Sequence, residues 1–488
     1  MWEERSTSML QRTTFVLVLI ACGGGCGGGD SPPTSGAAST GTLAYVMTEC
    51  RDDQAGTVYL LHQDLRIRHG DREVAVAPIP ELGPLQIGGL CRAQSRGARL
   101  GLNSVELGAF MRLNVNSDGS AVAFEVTDAF SYFRNVLTPE QQGIFFVRPD
   151  GTGMRRLGPP SRQPSFSADL NFLFPNELAF SPNGRTIVYT DRVQDAGGTE
   201  MNQIVTIDVA TGRPFQVTHL PPTAATPQFP AACCPLFLDD DTILFGTLAN
   251  PDGLNPTGEF AGFAIKADGS DLKRDLRPIV EPDSHIDPTF HITGDRPAVG
   301  SVGLRDKTPQ NHIAGNPDLN LVLELFLFDG PNLLQLTNFQ RVDTFAGTVD
   351  VDRQRALFVA SANPPELHDS NANENCQIFS IDRIGGDLRQ LTAFDDGGHS
   401  VNGCDFNGHR PGCAIGGVTQ DPVSRALVFY SSCDPLGTTN HTGGQIFAMR
   451  PDGNGLRQLT QARGAFQDTA GMFHYEQPGP SAYGPYLP

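Results

Sequence analysis

Histidine, cysteine and carboxylate side chains are the raw material of metal sites, disulfides and acid–base pairs, and in this chain they fall into a few groups. Asp369-x-Asn371-x-Asn373-Glu374 places oxygen ligands at alternate positions, as the start of a calcium loop does. The glycine and the distant bidentate glutamate of an EF-hand are absent, so a solvated polar loop is expected, with calcium the only cofactor the pattern would suit. His285, Asp287 and His291 form a second group, placed before and within an expected inner strand. His399, Asp405 and His409 form a third, close to Cys404 and Cys413. Both offer donors to zinc, but their spacings match no standard ligand set, and no metal site is expected from them. Nucleophilic hydrolysis has no support, because Gly398-His-Ser400-Val-Asn402 lacks the last glycine of G-x-S-x-G. A glycine-rich phosphate loop at a strand-to-helix junction is missing as well. No catalytic residue is assigned.

The N-terminus carries an address. The run from Thr13 to Ala21 follows Arg12 and is too short to cross a bilayer, which takes about 20 apolar residues, but it suits the core of a secretion signal. It ends in Leu19-Ile20-Ala21-Cys22, which resembles the bacterial lipobox, so residues 1–21 are expected to be a signal peptide and Cys22 the lipidated residue. Glu3 and Glu4 suit the positive end of a leader poorly, and a start at Met9 gives a cleaner one. Residues 22–41, rich in Gly, Ser, Thr and Pro, cannot bury enough surface to offset their ordering entropy and form a flexible tether. Gly23 lacks the aspartate that signals retention at the inner membrane, which points to the outer membrane.

Export sets the cysteine chemistry. Leaving aside Cys22 and Cys26, eight remain: Cys50, Cys91, Cys233, Cys234, Cys376, Cys404, Cys413 and Cys433. An even number in an oxidising compartment favours disulfides. The pairing suggested is Cys50 with Cys91, an adjacent-residue ring at Cys233–Cys234, and two pairs among the last four. The net charge of −19, with lysine only at positions 266, 273 and 307, speaks against binding nucleic acid, which needs clustered cations to displace counterions.

The elements that must hold these residues are repeats. QIFAMRPDGNGLRQLT (445–460), QIFSIDRIGGDLRQLT (377–392), GIFFVRPDGTGMRRL (143–157), GFAIKADGSDLKRDL (262–276), LELFLFDGPNLLQLT (323–337) and QIVTIDVATGRPFQVT (203–218) each predict strand, tight turn, strand. Each follows an apolar stretch, a polar turn and a short hydrophobic strand, as in LAFSPNGRTIVYT (178–190) and LNVNSDGSAVAFE (113–125). Four strands therefore make one unit of near sixty residues, and an earlier unit over 42–78 lacks a first strand. Such units arranged in a ring form a β-propeller, an all-β fold in which each antiparallel blade buries both faces. Seven blades over residues 42–477 are expected, with six or eight also compatible; GMFHYEQ (471–477) is expected to supply the missing strand, and 478–488 form a tail.

The turn at Ser181 to Gly184, with Phe180 before it, and the D-G-x-x-x-R-x-L-T endings resemble the propeller repeats of TolB-like proteins over roughly residues 42–477. The resemblance implies a propeller and little about activity. No α/β domain precedes the repeats and no hydrolase domain follows them in this sequence, so neither Tol-system contacts nor prolyl-peptidase chemistry carries over.

Links between strands one and two, and three and four, are short; those between strands two and three are long, and in a propeller they share one face with the blade-to-blade links. That face is the expected binding surface. The expectation is a lipid-anchored module that binds another cell-envelope macromolecule and touches the membrane through its anchor alone. The alternative is a propeller lyase or hydrolase, which a convergent His/Asp pocket at the channel mouth would favour.

Overall fold

The computed structural model describes residues 41–478 apart from 71, 87–90, 93–109, 129–134, 163–177, 195–199, 222–231, 257–260, 275–284, 292–297, 306–320, 330–331, 342–343, 351, 395–414, 422–423 and 438–443. Strands are numbered along the chain. The first four are β1 (Thr42–Asp52), β2 (Val58–His69), β3 (Arg72–Ile79) and β4 (Leu82–Leu85). Six four-stranded antiparallel blades follow. Blade 1 holds β5 (Phe110–Val115), β6 (Val122–Val126), β7 (Gly143–Val147) and β8 (Arg155–Gly158). Blade 2 holds β9 (Leu178–Phe180), β10 (Thr186–Gln194), β11 (Glu200–Asp208) and β12 (Pro214–Gln216). Blade 3 holds β13 (Ala232–Phe237), β14 (Thr242–Thr247), β15 (Ala261–Lys266) and β16 (Lys273–Arg274). Blade 4 holds β17 (His285–His291), β18 (Ala298–Arg305), β19 (Leu321–Asp329) and β20 (Asn332–Gln335). Blade 5 holds β21 (Phe345–Val349), β22 (Arg355–Ala360), β23 (Gln377–Asp382) and β24 (Arg389–Gln390). Blade 6 holds β25 (Ile415–Gln420), β26 (Leu427–Ser431), β27 (Gln445–Met449) and β28 (Arg457–Gln458). The last two described strands are β29 (Gly464–Gln467) and β30 (Phe473–Pro478).

Local chemistry fixes the hairpins. In the turn Ser181-Pro182-Asn183-Gly184 the amide of Gly184 donates to Ser181 O at 2.8 Å, and Gly184 takes φ +69°, which a side chain would disfavour. The turn aspartates cap their own hairpins: Asp150 accepts from the Thr152 amide and Asp268 from the Ser270 amide, both at 2.9 Å. The hydroxyl and amide of those partners hold both carboxyls below the ordinary range. Asp239 likewise accepts from the amides of Asp241 and Thr242, so the acidic run at 239–241 builds a turn.

The second strand of a blade is buried along its length, as in β6, β14 and β26, because neither face meets water. Directly opposed phenylalanines on strands two and three repeat from blade to blade: Phe124 with Phe145, Phe245 with Phe263, Phe358 with Phe379, and Phe429 with Phe447. Their ring centroids lie 5.4 to 5.9 Å apart. Each such pair is worth about 0.5–1.5 kcal/mol beyond its buried area.

The Q-I-(F/V) and Q-(L/V)-T ends of the repeats form a buried polar clamp. In blade 5 Gln377 Oε1 accepts from Thr392 Oγ1 (2.7 Å) and the Phe394 amide (3.0 Å), while its Nε2 donates to Phe394 O (2.8 Å). Thr392 Oγ1 in turn accepts from the Ile378 amide at 2.9 Å. Gln203 with Thr218 and Leu220 in blade 2, and Gln445 with Thr460 and Ala462 in blade 6, repeat this set. The clamp fastens strand three to the link that leaves the outer strand for the next sheet.

The two chain ends form one further sheet, ordered β29-β30-β1-β2-β3 with β4 on β2. β30 pairs β1 from Met47 with Pro478 to Asp52 with Phe473, so the 471–477 segment does supply the strand that the first unit lacks. This sheet neighbours blade 1 through β5 and blade 6 through β27, so it closes the ring. Among the described residues there are thus six four-stranded blades and a composite six-stranded closing sheet, within the expected range of six to eight blades; β29 and β4 are strands beyond the four-stranded unit. A second difference lies in blade 2, where β10 and β11 run on to Gln194 and from Glu200, so their link is residues 195–199 instead of 191–202. Their cross-strand ladder ends in Gln194 opposite Glu200, with the Arg192 guanidinium 3.9 Å from Glu200, and so continues pairing through the segment expected to be loop.

Candidate functional site

Thr42 Oγ1 donates to Gly119 O in the β5–β6 turn at 2.6 Å, so the start of β1 lies on the short-turn face. The other end, with the β1–β2 and β29–β30 turns, lies toward the long-loop face, where Gln54 Nε2 donates to Ala470 O across the two turns. Cys50 and Cys91 are joined in a disulfide at this end, as expected. Cys376, just before β23, and Cys433, just after β26, are each disulfide-linked too. Cys233 and Cys234 sit in β13 at a shift of register. Cys404, Cys413, His399 and His409 lie outside the described residues, as do Cys22 and the tether up to residue 40.

The candidate ligand groups fare differently. His285 and His291 occupy the two ends of β17, paired with Gly303 and Val299 of β18, so the bulged strand sets their backbones about 13 Å apart. Asn371 is buried and spent on its own loop: Nδ2 donates to Ala362 O (2.9 Å) and Asn375 O (2.8 Å), and Oδ1 accepts from the Asn375 amide (3.1 Å). Asp369 accepts from Asn363 Nδ2 at 3.2 Å, and Asn373 is exposed. The alternating oxygens do not converge; strand-like alternation gives way to a turn in which His368, Asp369 and Glu374 all have positive φ.

This loop is instead one wall of a cleft of about 1140 Å³ between blades 4 and 5. The opposite wall is the chain leaving β20, Gln335 to Phe339 with Arg341, and the β23–β24 hairpin also lines the cleft from Gly385 to Leu388. Arg341 crosses the cleft wall to Glu374 at 3.0 Å and donates to Ser361 Oγ at 3.2 Å. The β20 wall is fixed by blade 4's version of the clamp, in which Glu324 replaces glutamine. Its carboxylate, wholly buried, accepts from Thr337 Oγ1 (2.6 Å) and from the amides of Phe339 (3.0 Å) and Gln340 (2.6 Å). Burial pushes this carboxyl above the ordinary range despite the three donors. Elsewhere on the face, Asp128 holds the amides of Val136 and Leu137, and Asp52 those of Cys91 and Arg92.

A second group of ionisable residues was not foreseen. On the closing sheet Glu49 stands directly opposite His62 on β2 and opposite Glu476 on β30. His62 Nδ1 lies 3.5 Å from Glu49 Oε2. Arg463, the residue after the blade 6 clamp, reaches Glu49 at 2.9 Å and Glu476 at 2.7 Å. His474 bridges Glu49 (3.2 Å) and Asp468 (3.0 Å). Met472's amide and the His474 ring hold the Asp468 carboxyl below the ordinary range. Strand register assembles this group from both chain ends. The single trace of it in the sequence is the H-Y-E pattern of residues 474–476, whose alternate residues share a face.

Between blades 1 and 2 a buried pair, Arg112 with Glu125 at 3.2 Å, is tied to the Ser161 amide and Thr190 O. Burial raises the Glu125 carboxyl and Arg112 opposes the shift. With both side chains tied to neighbouring backbone, this is a structural joint.

No family model and no curated protein matches the chain. Solved structures do match it, at low similarity. A prolyl endopeptidase matches with a TM-score of 0.44 and 10% identity, over 86% of this chain and 50% of its own. Oligogalacturonate lyase from Vibrio parahaemolyticus matches with 0.39 and 12%, over 75% and 77%. A putative TolB from Agrobacterium tumefaciens matches with 0.31 and 12%, over 62% and 89%. The chain spans about half the length of the prolyl endopeptidase. These are likenesses of form, and nothing about activity follows from them.

Proposed function

We propose that the protein is a binding propeller that holds a segment of another cell-envelope macromolecule in the cleft between blades 4 and 5, presented from the membrane by a lipid on Cys22. The observation that carries this reading is the cleft itself: both walls are set by buried polar anchors, Glu324 on one side and Asn371 on the other, before any partner arrives. Preorganised walls spare a ligand the cost of ordering them. The Arg341–Glu374 pair offers one charge of each sign, which suits a polar chain segment better than an apolar cofactor.

A photoreactive residue placed at Asn338 or Glu366, both exposed in the cleft, tests this in cells that produce the full chain. Adducts to a single macromolecule are expected from both positions, and none from Asp452 in a short-turn hairpin. Equal adducts from all three positions, or none from the cleft, would overturn the proposal.

The convergence of Asp468, His474, Glu49, His62 and Glu476 favours the enzyme as a second reading, since a general acid and base need such neighbours. Its test is turnover of glycan or peptide substrates that disappears in His62→Ala with the fold intact.

A further inference from the structure

Two glutamates set directly opposite each other on adjacent strands repel unless a cation lies between them. Glu49 and Glu476 are such a pair, and the guanidinium of Arg463 occupies the cation's place, touching both carboxylates. That side chain is more than half exposed (55%), lies over the ring of Phe466 at 4.3 Å, and has open solvent to swing into. His62 adds a nitrogen donor: one ligand atom each from Glu49, His62 and Glu476 lies within 4.8 Å of the others. A tetrahedral zinc with bonds near 2.0–2.1 Å places its donors about 3.3 Å apart, so side-chain rotation of less than roughly 1 Å per atom closes the set.

We propose that Glu49, His62 and Glu476 form a binding site for a zinc-class divalent cation, taken up in exchange for the Arg463 guanidinium. Two carboxylates and one imidazole suit zinc or a neighbouring first-row ion, and the fourth position faces the solvent that Arg463 vacates. His474 acts as a positioning residue. It fixes the outer oxygen of Glu49 and is itself fixed by Asp468, the outer arrangement that orients metal-ligating carboxylates. The ligands come from β1, β2 and β30, so the bound ion would pin the N-terminal strands to the C-terminal one. Cation uptake and closure of the ring are then thermodynamically linked.

The test is equilibrium dialysis of the full chain, stripped with chelator, against zinc alone. About one tightly held zinc per chain is expected, with affinity falling about 100-fold in Glu476→Gln and His62→Ala. Arg463→Ala, which removes the competitor, should bind about tenfold more tightly and should gain more thermal stability on adding zinc than wild type does. Cobalt in place of zinc separates this site from cysteine sites in wild-type protein, with no variant that risks misfolding. A spectrum without thiolate-to-metal charge transfer is expected. Thiolate bands, absence of binding, or an Arg463→Ala affinity no higher than wild type would each overturn the proposal.

Discussion

Blades 5 and 4 carry the same clamp with one atom exchanged, and the backbone answers the exchange. In blade 5 the amide nitrogen of Gln377 donates to Phe394 O. In blade 4 the corresponding atom is the second carboxylate oxygen of Glu324, and it accepts from the Gln340 amide. Phe339 and Phe394 hold equivalent places, two residues after the clamp threonine. The peptide between Phe339 and Gln340 is therefore turned over relative to its counterpart, and Gln340 takes φ +56° to allow it. From this reversed peptide the chain continues directly to Arg341, which meets Glu374 in the cleft. The propeller departs from its repeat beside the place where it offers a cavity.

The largest effect is expected from putting the carboxylate where the backbone has not adapted. Gln377→Glu would aim an ionised oxygen at Phe394 O, inside a site only 1% exposed, and should destabilise the chain by about 3 kcal/mol at neutral pH. Urea unfolding should show part of this loss recovered in acid, where the protonated carboxyl can donate to that carbonyl. An undiminished midpoint at neutral pH would mean that the clamp is not polar-selective.

The converse exchange is expected to cost less. Glu324→Gln faces an amide N–H with another N–H, leaving a buried donor unpaired, at about 1–2 kcal/mol net, because removing a buried charge offsets part of the loss. Its pH dependence has a definite sign. Burial raises the folded-state pKa of Glu324 above its unfolded value, so the stability contributed by the protonated group is full below the ordinary glutamate range. It is lost as pH rises through the raised folded value. The gap between wild type and Glu324→Gln should therefore narrow from acid toward neutral pH. Parallel urea midpoints across that range check it; a widening gap would mean that the three donors outweigh burial.

Much of this architecture is legible in the residues. Asp-Gly and Asn-Gly turns between apolar runs announce hairpins because few other pairs take positive φ without strain, and the Q-I-F and Q-L-T strings mark strands three and four. The hydrogen bonds that make those strings recur are not visible until the threonine and glutamine are seen across the blade. Glu324 was open to detection, since aligning ELFLFD with QIFSID and QIFAMR sets a glutamate under two glutamines. The Glu49–His62–Glu476 group was much less so, because it depends on the register of two strands from opposite ends of the chain. His285 and His291 show the opposite relation. Nearness along a sequence becomes distance once the segment is extended.

The smallest effect tests the peptide reversal most sharply. Gln340→Gly relieves a left-handed residue while Glu324 keeps its amide donor, and the greater freedom of glycine in the unfolded chain offsets part of that relief, leaving a gain of about 0.5 kcal/mol. In the Glu324→Gln background the same glycine should do more. With no Cβ at position 340, the peptide can turn back so that Phe339 O meets the new amide nitrogen, as Phe394 O meets Gln377. The double variant should then exceed the sum of its parts by about 0.5–1 kcal/mol in a double-mutant cycle. Simple additivity would show that Gln340 adopts its conformation for reasons unrelated to the carboxylate. The cleft wall, with Arg341 on it, would then owe nothing to the change of clamp.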